Sequence, residues 1–285
     1  MESQEISILT EKGHSLSATR FSSSENIQKT IIISSATGVL QGFYRKFASH
    51  FASLGYTVFT FDYYGIGKSS GEIDVLRKNV TDLKSWGSTD QAAVVAFAKN
   101  QKPENELTLI THSVGGQLLG FNSNYQLIDK VIFVASQTGY WKYFKGWHCL
   151  KMWLLWYVII PVLTPIFGYF PAKFLGLFEN LPKNMVYEWA KWGRQKDYMI
   201  HFHNEHNYFF NKIGVPILSF SFPEDHFAPK ATVDWLTDQY KNAKVQRKHY
   251  IPSKEKLHRL KHFGFFKEEF EDTLWKNTEE WIQEK

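Results

Sequence analysis

Short apolar segments alternate with amphipathic segments along most of the chain. The first two apolar segments alternate with polar residues around Gly13, which predicts an antiparallel hairpin. The next five segments are apolar without alternation, which predicts strands that are buried on both faces, whereas the last one is mixed. The eight predicted strands comprise residues 5–10, 15–22, 30–33, 56–61, 107–110, 131–134, 215–220 and 245–251.

Segments with helical periodicity lie between these strands. In residues 43–54 the apolar side chains recur at helical spacing, and Ser88 has the position of an N-cap for a helix over residues 88–100. The other predicted helices comprise residues 114–122, 230–240 and 267–283. This alternation predicts an α/β fold, with a mostly parallel eight-stranded sheet flanked by helices.

Residues 137–211 interrupt the alternation and are rich in aromatic side chains. They contain six of the ten Trp residues, and residues 152–170 carry no charge. We therefore predict a core formed by residues 1–136 and 212–285, with residues 137–211 as a helical cap or lid inserted before the strand at 215–220. An aromatic lid would form an apolar pocket, for which Trp141, Trp153 and Trp156 are the candidate substrate-binding residues.

The uncharged stretch is close to the length of a transmembrane helix. Pro161, Pro165 and Gly168 interrupt it, and a span at this point would place the two parts of the core on opposite sides of a membrane. A lid is therefore favoured over a span. A lid that also makes peripheral contact with a membrane, through its aromatic residues and lysines such as Lys145 and Lys151, is the second interpretation.

Composition excludes several functional classes. The single cysteine, Cys149, excludes an intrachain disulfide, and the N-terminus lacks the pattern of a secretory signal, so we expect a cytoplasmic protein. The net charge of +5 is scattered, which argues against nucleic-acid binding. The histidines at 201, 203 and 206 lie near Glu205, but without a defined ligand pattern we predict no metal and no cofactor.

The segment Thr111-His112-Ser113-Val114-Gly115 has the most specific pattern in the chain. It follows a predicted strand and precedes a predicted helix, which is the context of the nucleophile elbow of serine hydrolases. The usual pattern is G-x-S-x-G, so Thr111 replaces the first glycine. The alternative is that Ser113 is simply the N-cap of the following helix.

A serine nucleophile needs a base and an acid that orients the base, in the chain order Ser, Asp or Glu, His. Asp225 follows the strand at 215–220, with Glu224 as the rival acid and a helix cap as the alternative role. His262 lies between the last strand and the last helix, with His258 as its rival.

An oxyanion hole needs two backbone N–H donors. Val114, directly after the predicted nucleophile, supplies one of them. The second is expected in the small-residue loop after the strand at 30–33, at Ala36 or Thr37.

With these motifs in order, the sequence resembles the α/β-hydrolase superfamily. It is similar to the bacterial "predicted α/β-hydrolase" group, which is related to serine aminopeptidase S33 and monoacylglycerol-lipase-like proteins. The resemblance rests on Ala36–Val39, the Asp-x-x-Gly-x-Gly-x-Ser loop at 62–69, Thr111–Gly116, Glu224–Pro229 and His262–Phe266. It covers nearly the whole chain outside residues 137–211.

The resemblance and the motifs together predict a serine hydrolase. Its expected substrate is a small lipophilic carboxylic ester or thioester, cleaved through an acyl-enzyme on Ser113 with Asp225 and His262. An acyltransferase or an amide or peptide hydrolase using the same three residues is the alternative within catalysis. A hydrolase-fold protein that binds a ligand without catalysis is the alternative outside it.

Overall fold

One eight-stranded sheet forms the centre of the computed structural model, which describes residues 2–204, 206–254 and 257–284. The strand order is β1-β2-β4-β3-β5-β6-β7-β8; β1, β2 and β4 pair antiparallel, and the other pairs are parallel. The strands are β1 Glu2–Leu9, β2 Ser15–Ser22, β3 Lys29–Ser34, β4 Thr57–Phe61, β5 Glu106–His112, β6 Lys130–Val134, β7 Ile217–Ser221 and β8 Val245–His249. This is the mostly parallel sheet that the hydrophobic pattern predicts.

The two faces of the sheet bury separate apolar clusters. Successive side chains of β3 alternate, so Ile32 packs into one cluster while Ile31 and Ile33 pack into the other. Strand β5 divides in the same way, with Leu109 on the first side and Ile110 on the second. Burial on both faces explains why the central strands are apolar without alternation.

Helices cover both faces of this sheet. In the described residues they are α1 Arg45–Ser53, α2 Ile73–Lys78, α3 Leu83–Ser85, α4 Ala92–Gln101, α5 Val114–Leu119, α6 Gly146–Leu154, α7 Ile160–Phe167, α8 Lys183–Gly193, α9 Lys230–Thr237, α10 Leu257–Leu260 and α11 Lys276–Gln283. Short 3-10 turns precede α1 and α11, and π-helical turns join α3 to α4, α6 to α7, and the 3-10 turn at Glu268–Phe270 to α11.

Two details of the predicted helices are wrong. Ser88 is not an N-cap, because it lies inside the π-helical turn Trp86–Gln91, and the carboxylate of Asp82 caps the helix by accepting the N–H of Ser85 at 2.8 Å. The predicted helix over residues 267–283 is regular only in α11. Apolar periodicity cannot distinguish these variants, because 3-10, α and π turns place side chains on nearly the same face over one turn.

Residues 137–211 lie between β6 and β7 and are mainly helical in the described part. Helices α6 and α7 form one continuous run from Gly146 to Phe167, which packs against α8. At the crossing, a Cβ on Gly193 would lie 2.4 Å from the indole nitrogen of Trp156, and that indole N–H donates to the carbonyl of Gly139. Whether this segment acts as a lid stays a prediction.

The crossing predicts a stability effect at Gly193. Gly193→Ala forces a methyl group against the buried Trp156, and we expect it to lower the free energy of unfolding by about 1–3 kcal/mol. Gly42→Ala is the matched control, because a Cβ at Gly42 meets no atom within 4 Å. Chemical denaturation of both variants measures the difference, and equal stability of the two would contradict this packing.

Candidate active site

Ser113 lies at a strained turn between β5 and α5. Its backbone has φ 54° and ψ −112°, and residues other than glycine rarely adopt a positive φ of this kind. Its side chain makes no capping hydrogen bond with α5, so the structure gives no support to the N-cap alternative. The turn is held by the Ser113 N–H, which donates to the carbonyl of Val134 on β6 at 3.0 Å.

The close approach of this turn to its neighbours explains its glycines. A Cβ on Gly115 would lie 2.7 Å from the carbonyl oxygen of Ser34, and one on Gly116 would lie 2.5 Å from the Cβ of Ser136. Thr111 is accommodated because its side chain is on the β6 side, where its hydroxyl pairs with the hydroxyl of Ser136 at 2.9 Å. The replacement of the first glycine of the motif therefore leaves the turn intact.

Asp225 and His262 form a buried pair beside this turn. The Nδ1 atom of His262 lies 2.9 and 3.1 Å from the two carboxylate oxygens of Asp225, whose side chain is fully buried. The carboxylate also accepts the N–H groups of Phe227 and Ala228, both at 2.9 Å. These bonds fix the carboxylate in the loop after β7. Asp225 is not the cap of helix α9, because the residue at the cap position is Pro229.

The rival residues pair with each other at the surface. Nδ1 of His258 lies 2.8 Å from a carboxylate oxygen of Glu224, but the His258 side chain is 75% exposed. An acid and base of this kind would be solvated by water. The buried pair of Asp225 and His262 is the one that the structure places next to the nucleophile elbow.

A second histidine links the elbow to the loop that carries His262. Burial lowers the pKa of His112 well below its ordinary value, with a smaller effect from His262, so this imidazole is neutral. Its Nε2 lies 2.9 Å from the carbonyl oxygen of His262, which can only accept, so Nε2 carries the proton. Its Nδ1 must then accept, and it receives the hydroxyl proton of Tyr44 at 2.9 Å.

The hydroxyl of Tyr44 also accepts the N–H of Ala36 at 2.9 Å. Burial raises the pKa of this phenol far above its ordinary value, so it stays protonated. A directed chain of hydrogen bonds therefore runs from Ala36 through Tyr44 and His112 to the backbone of His262. It holds the loop after β3, the elbow and the loop after β8 in one arrangement.

This chain distinguishes the two predicted oxyanion donors in the loop after β3. The N–H of Ala36 is engaged by Tyr44, whereas the N–H of Thr37 has no hydrogen bond among the described residues. The hydroxyl of Thr37 is also buried without a partner there. Val114, the other predicted donor, lies in the first turn of α5, where N–H groups have no partner within the helix.

The Asp-x-x-Gly-x-Gly-x-Ser loop at 62–69 supports the segment around Gln41, which follows the loop after β3. The buried carboxylate of Asp62 accepts the backbone N–H of Gln41 at 2.7 Å and that of Lys68 at 3.2 Å. Gly67 has φ 51°, and a Cβ there would lie 2.6 Å from a carboxylate oxygen of Asp62. Burial raises the pKa of Asp62 despite these bonds. Among the described residues, no hydrogen bond or ring contact joins this motif to Ser113.

Gln137 contacts the candidate nucleophile, although no motif in the sequence indicates this contact. The Ser113 hydroxyl donates to Oε1 of Gln137 at 3.3 Å and accepts from Nε2 at 3.2 Å, and Nε2 also donates to the carbonyl of Phe227. Among the described residues, no hydrogen bond joins Ser113 to His262. Hydrogen bonds between catalytic residues are often absent or long in a free site. No local pattern marks Gln137, which is the third residue of the loop after β6.

An apolar groove lies between the loop after β3 and the loop at 172–180. Its volume is about 520 Å³, and its lining includes Gly38, Val39, Phe43, Leu177, Phe178 and Phe263. The ring of Phe178 lies 5.9 Å from that of Phe263, which packs edge-on against His262 at 4.9 Å. A larger cavity of about 740 Å³ beside Asp62 is more polar, and neither space is lined by Ser113, Asp225 or His262 themselves.

The three tryptophans predicted to bind substrate contact other parts of the inserted segment. Trp156 is fully buried against Trp189 and Gly193, and Trp153 stacks on Tyr157 at 5.4 Å, as an exposed pair. No hydrogen bond or ring contact of the described residues joins Trp141, Trp153 or Trp156 to the three candidate catalytic residues. Their role in binding stays a prediction.

The described residues contain no group of three His, Cys, Asp or Glu side chains that could hold a metal ion. The imidazole of His203 packs against Phe121 and Trp192. Glu205, which lies between His203 and His206 in the sequence, is outside the described residues.

Comparison with models of protein families assigns the sequence to one family. The model of the Hydrolase_4 family, described as serine aminopeptidase, S33, matches residues 25–167, half of the chain. The chain belongs to this hydrolase family. This confirms the resemblance that the motifs indicated. Among curated proteins, none matches the sequence significantly.

Solved structures share the fold at low sequence identity. The Pyrococcus furiosus esterase PF2001 is 18% identical, with a TM-score of 0.64 over 99% of this chain and 91% of that chain. A carboxyl esterase from Bacillus coagulans is 12% identical, with a TM-score of 0.67 over 99% and 98%. XC6422 from Xanthomonas campestris, described as a serine hydrolase without lid, is 15% identical, with a TM-score of 0.54 over 100% and 97%. These similarities confirm the predicted α/β-hydrolase fold.

The neutral, buried His112 predicts a pH dependence of stability. Above pH 6.5 the residue is neutral in both the folded and the unfolded state. Below this pH the unfolded chain binds a proton at His112 that the folded chain does not bind. The wild type therefore loses up to about 1.4 kcal/mol per pH unit from this group as the pH falls. His112→Gln keeps a neutral donor that does not titrate. The difference in the free energy of unfolding between the wild type and this variant should therefore shrink as the pH falls.

Denaturant unfolding from about pH 8 to about pH 5 measures this difference. The exposed His206→Gln is the control, and its difference from the wild type should not follow the same course. A deficit of His112→Gln that is constant across the range would show that His112 titrates normally in the folded protein.

Proposed function

We propose that the protein is a serine hydrolase that cleaves a carboxylic ester or thioester of a hydrophobic acid. The observation that carries this proposal is the buried pair of Asp225 and His262 next to the strained turn of Ser113. The hydroxyl of serine is a weak nucleophile and needs such a base. Membership in the serine aminopeptidase S33 family supports hydrolysis.

In the proposed reaction Ser113 attacks the carbonyl carbon and Nε2 of His262 takes the hydroxyl proton. Asp225 holds Nδ1 of the same ring, which fixes the tautomer and stabilises the imidazolium. His262 then protonates the leaving alcohol or thiol, and the acyl group remains on Ser113. Water, deprotonated by His262, releases the acid and restores the serine.

The same geometry supports a choice of the groups that would stabilise the transition state. The N–H groups of Val114 and Thr37 are the proposed donors to the oxyanion, because that of Ala36 is bonded to Tyr44. Gln137 holds the Ser113 hydroxyl in the free site, so the hydroxyl must turn from Gln137 toward His262 before attack. Gln137 then has an amide free to contact the substrate.

The apolar groove supports the choice of a hydrophobic acyl group. It begins at the loop after β3, which supplies Thr37, and is lined mainly by aliphatic and aromatic side chains. The charged residues on its rim, Lys173 and Glu179, pair with each other at 2.7 Å. Burying an acyl chain there gains about 0.8 kcal/mol per methylene group, which favours longer acyl groups.

Ser113→Ala tests the nucleophile. We expect loss of covalent labelling by a fluorophosphonate probe and a fall in ester hydrolysis of about 10³-fold or more, because the acyl-enzyme cannot form. The exposed Ser123→Ala is the matched control and should label as the wild type does. Full labelling of Ser113→Ala would contradict the assignment of Ser113 as the nucleophile. Absence of labelling of the folded wild type would favour the non-catalytic alternative.

An acyl-chain series of simple esters and thioesters tests the groove. We expect kcat/KM to rise with chain length until the groove is filled, and Phe178→Ala to flatten this rise because the side chain forms one wall. A flat profile in the wild type would contradict an apolar acyl site. Competing alcohols and amines in the same assay separate hydrolysis from acyl transfer, which stays a prediction.

A further inference from the structure

One face of the long helix in the inserted segment is apolar and open to solvent. By length and composition the run Gly146–Phe167 could cross a membrane, with a mean hydropathy of 1.7 in its most apolar window and 17% of that window buried. Trp156, Ile160 and Thr164 are fully buried at i, i+4 spacing and fix one side of the helix to the protein. Val158, Val162 and Ile166, also at i, i+4 spacing, form an exposed row on another side of the helix.

This exposed surface continues into the loop that borders the apolar groove. Phe174 is 76% exposed, and its ring lies 6.0 Å from that of Phe167 at the end of α7. We call the combined surface the apolar face. It consists of Trp147, Leu150, Val158, Val162, Ile166, Phe174 and Leu177, all of them exposed.

The charged side chains within the segment that carries the apolar face have one sign. Residues 138–178 contain four lysines and no Asp or Glu. Lys142, Lys145 and Lys151 are exposed, and none of them forms an ion pair with another described residue. Lys151 lies over the ring of Trp147 at 5.9 Å, so a cation and an indole share one position on the surface. Aromatic rings with lysines are typical of the boundary between lipid headgroups and acyl chains.

We propose that the apolar face docks the protein on the surface of a membrane that contains anionic lipid. The apolar side chains would enter the headgroup region, and the three unpaired lysines would contact lipid phosphates. Each lysine near an anionic surface strengthens binding about fivefold. The docking is peripheral, because the indole N–H of Trp156 and the guanidinium of Arg194 bond the helix to the rest of the chain on its other side.

The same charges disfavour a second copy of the chain as the occupant. A twofold dimer places a patch against its own copy. The lysines would then face lysines, with no carboxylate in residues 138–178 to pair with them. An anionic lipid surface supplies the opposite charge.

The docked orientation has a consequence for the site, which rests on the proposed function. Phe178 in the loop beside the apolar face contacts Phe227 and Phe263, and both of those rings pack against His262. The apolar groove therefore opens next to the docked surface. A lipophilic ester dissolved in the bilayer could reach it without crossing water.

Vesicle sedimentation tests the docking, using the Ser113→Ala protein so that binding is measured apart from hydrolysis. We expect cosedimentation with phosphatidylcholine vesicles that contain phosphatidylglycerol. Ile166→Ser should weaken binding roughly tenfold, since an apolar side chain no longer enters the lipid. The triple substitution Lys142→Gln, Lys145→Gln, Lys151→Gln should weaken binding to the anionic vesicles about a hundredfold and remove the preference for them.

Ile251→Ser is the matched control, because Ile251 is 70% exposed like Ile166 but lies after β8. It should bind as the parent protein does. Absence of binding to anionic vesicles, or equal binding of Ile166→Ser and Ile251→Ser, would overturn the proposal. So would dimers in sedimentation velocity that Ile166→Ser dissociates, or protein that remains in the vesicles after an alkaline wash, since the first indicates a second copy and the second a span.

Discussion

The arrangement of the candidate site depends on one buried imidazole that must stay neutral. His112 can donate only from Nε2 and accept only at Nδ1, and each nitrogen has a partner that requires that assignment. The bonds join three loops that lie far apart in the sequence. Protonating His112 would place a second donor against the Tyr44 hydroxyl, break the directed chain and leave a charge in an apolar interior.

The loops held by this chain of hydrogen bonds carry different parts of the proposed catalytic site. Tyr44 engages the N–H of Ala36, whereas the N–H of Thr37 in the same loop has no hydrogen bond among the described residues. The carbonyl of His262 is held from one side while its ring is held by Asp225 from the other. In the proposed reaction, a base restrained at both its backbone and its ring loses little further freedom when it takes a proton.

The inserted segment has two faces with opposite surroundings. On one face Trp156 and Ile160 are fully buried, and Gly193 allows α8 to approach the indole closely. On the other, residues such as Ile166 are exposed although they are as apolar as the buried ones. Both faces have high hydropathy, so the hydropathy of residues 146–167 cannot distinguish packing against protein from contact with lipid.

The sheet and its order along the chain were predictable because they depend on local patterns. Buried strands are apolar without alternation, and the elbow needs small residues at Gly115 and Gly116 wherever it occurs. The predictions failed where several local structures share one pattern. Ser88 has the residue type of a cap, but the helix begins earlier, at the cap Asp82, and the periodicity of residues 267–275 fits 3-10, α and π turns alike.

The sequence alone determined the fold class, the family resemblance and the order of Ser113, Asp225 and His262, because strand periodicity and turn chemistry are properties of neighbouring residues. Only the tertiary structure decided which residues meet across the sheet edge. It paired Glu224 with His258 at the surface and Asp225 with His262 in the interior, and it brought Gln137 to the Ser113 hydroxyl. Such contacts join residues separated by 24 to 37 positions, so they follow from how parallel strands align and not from any local pattern.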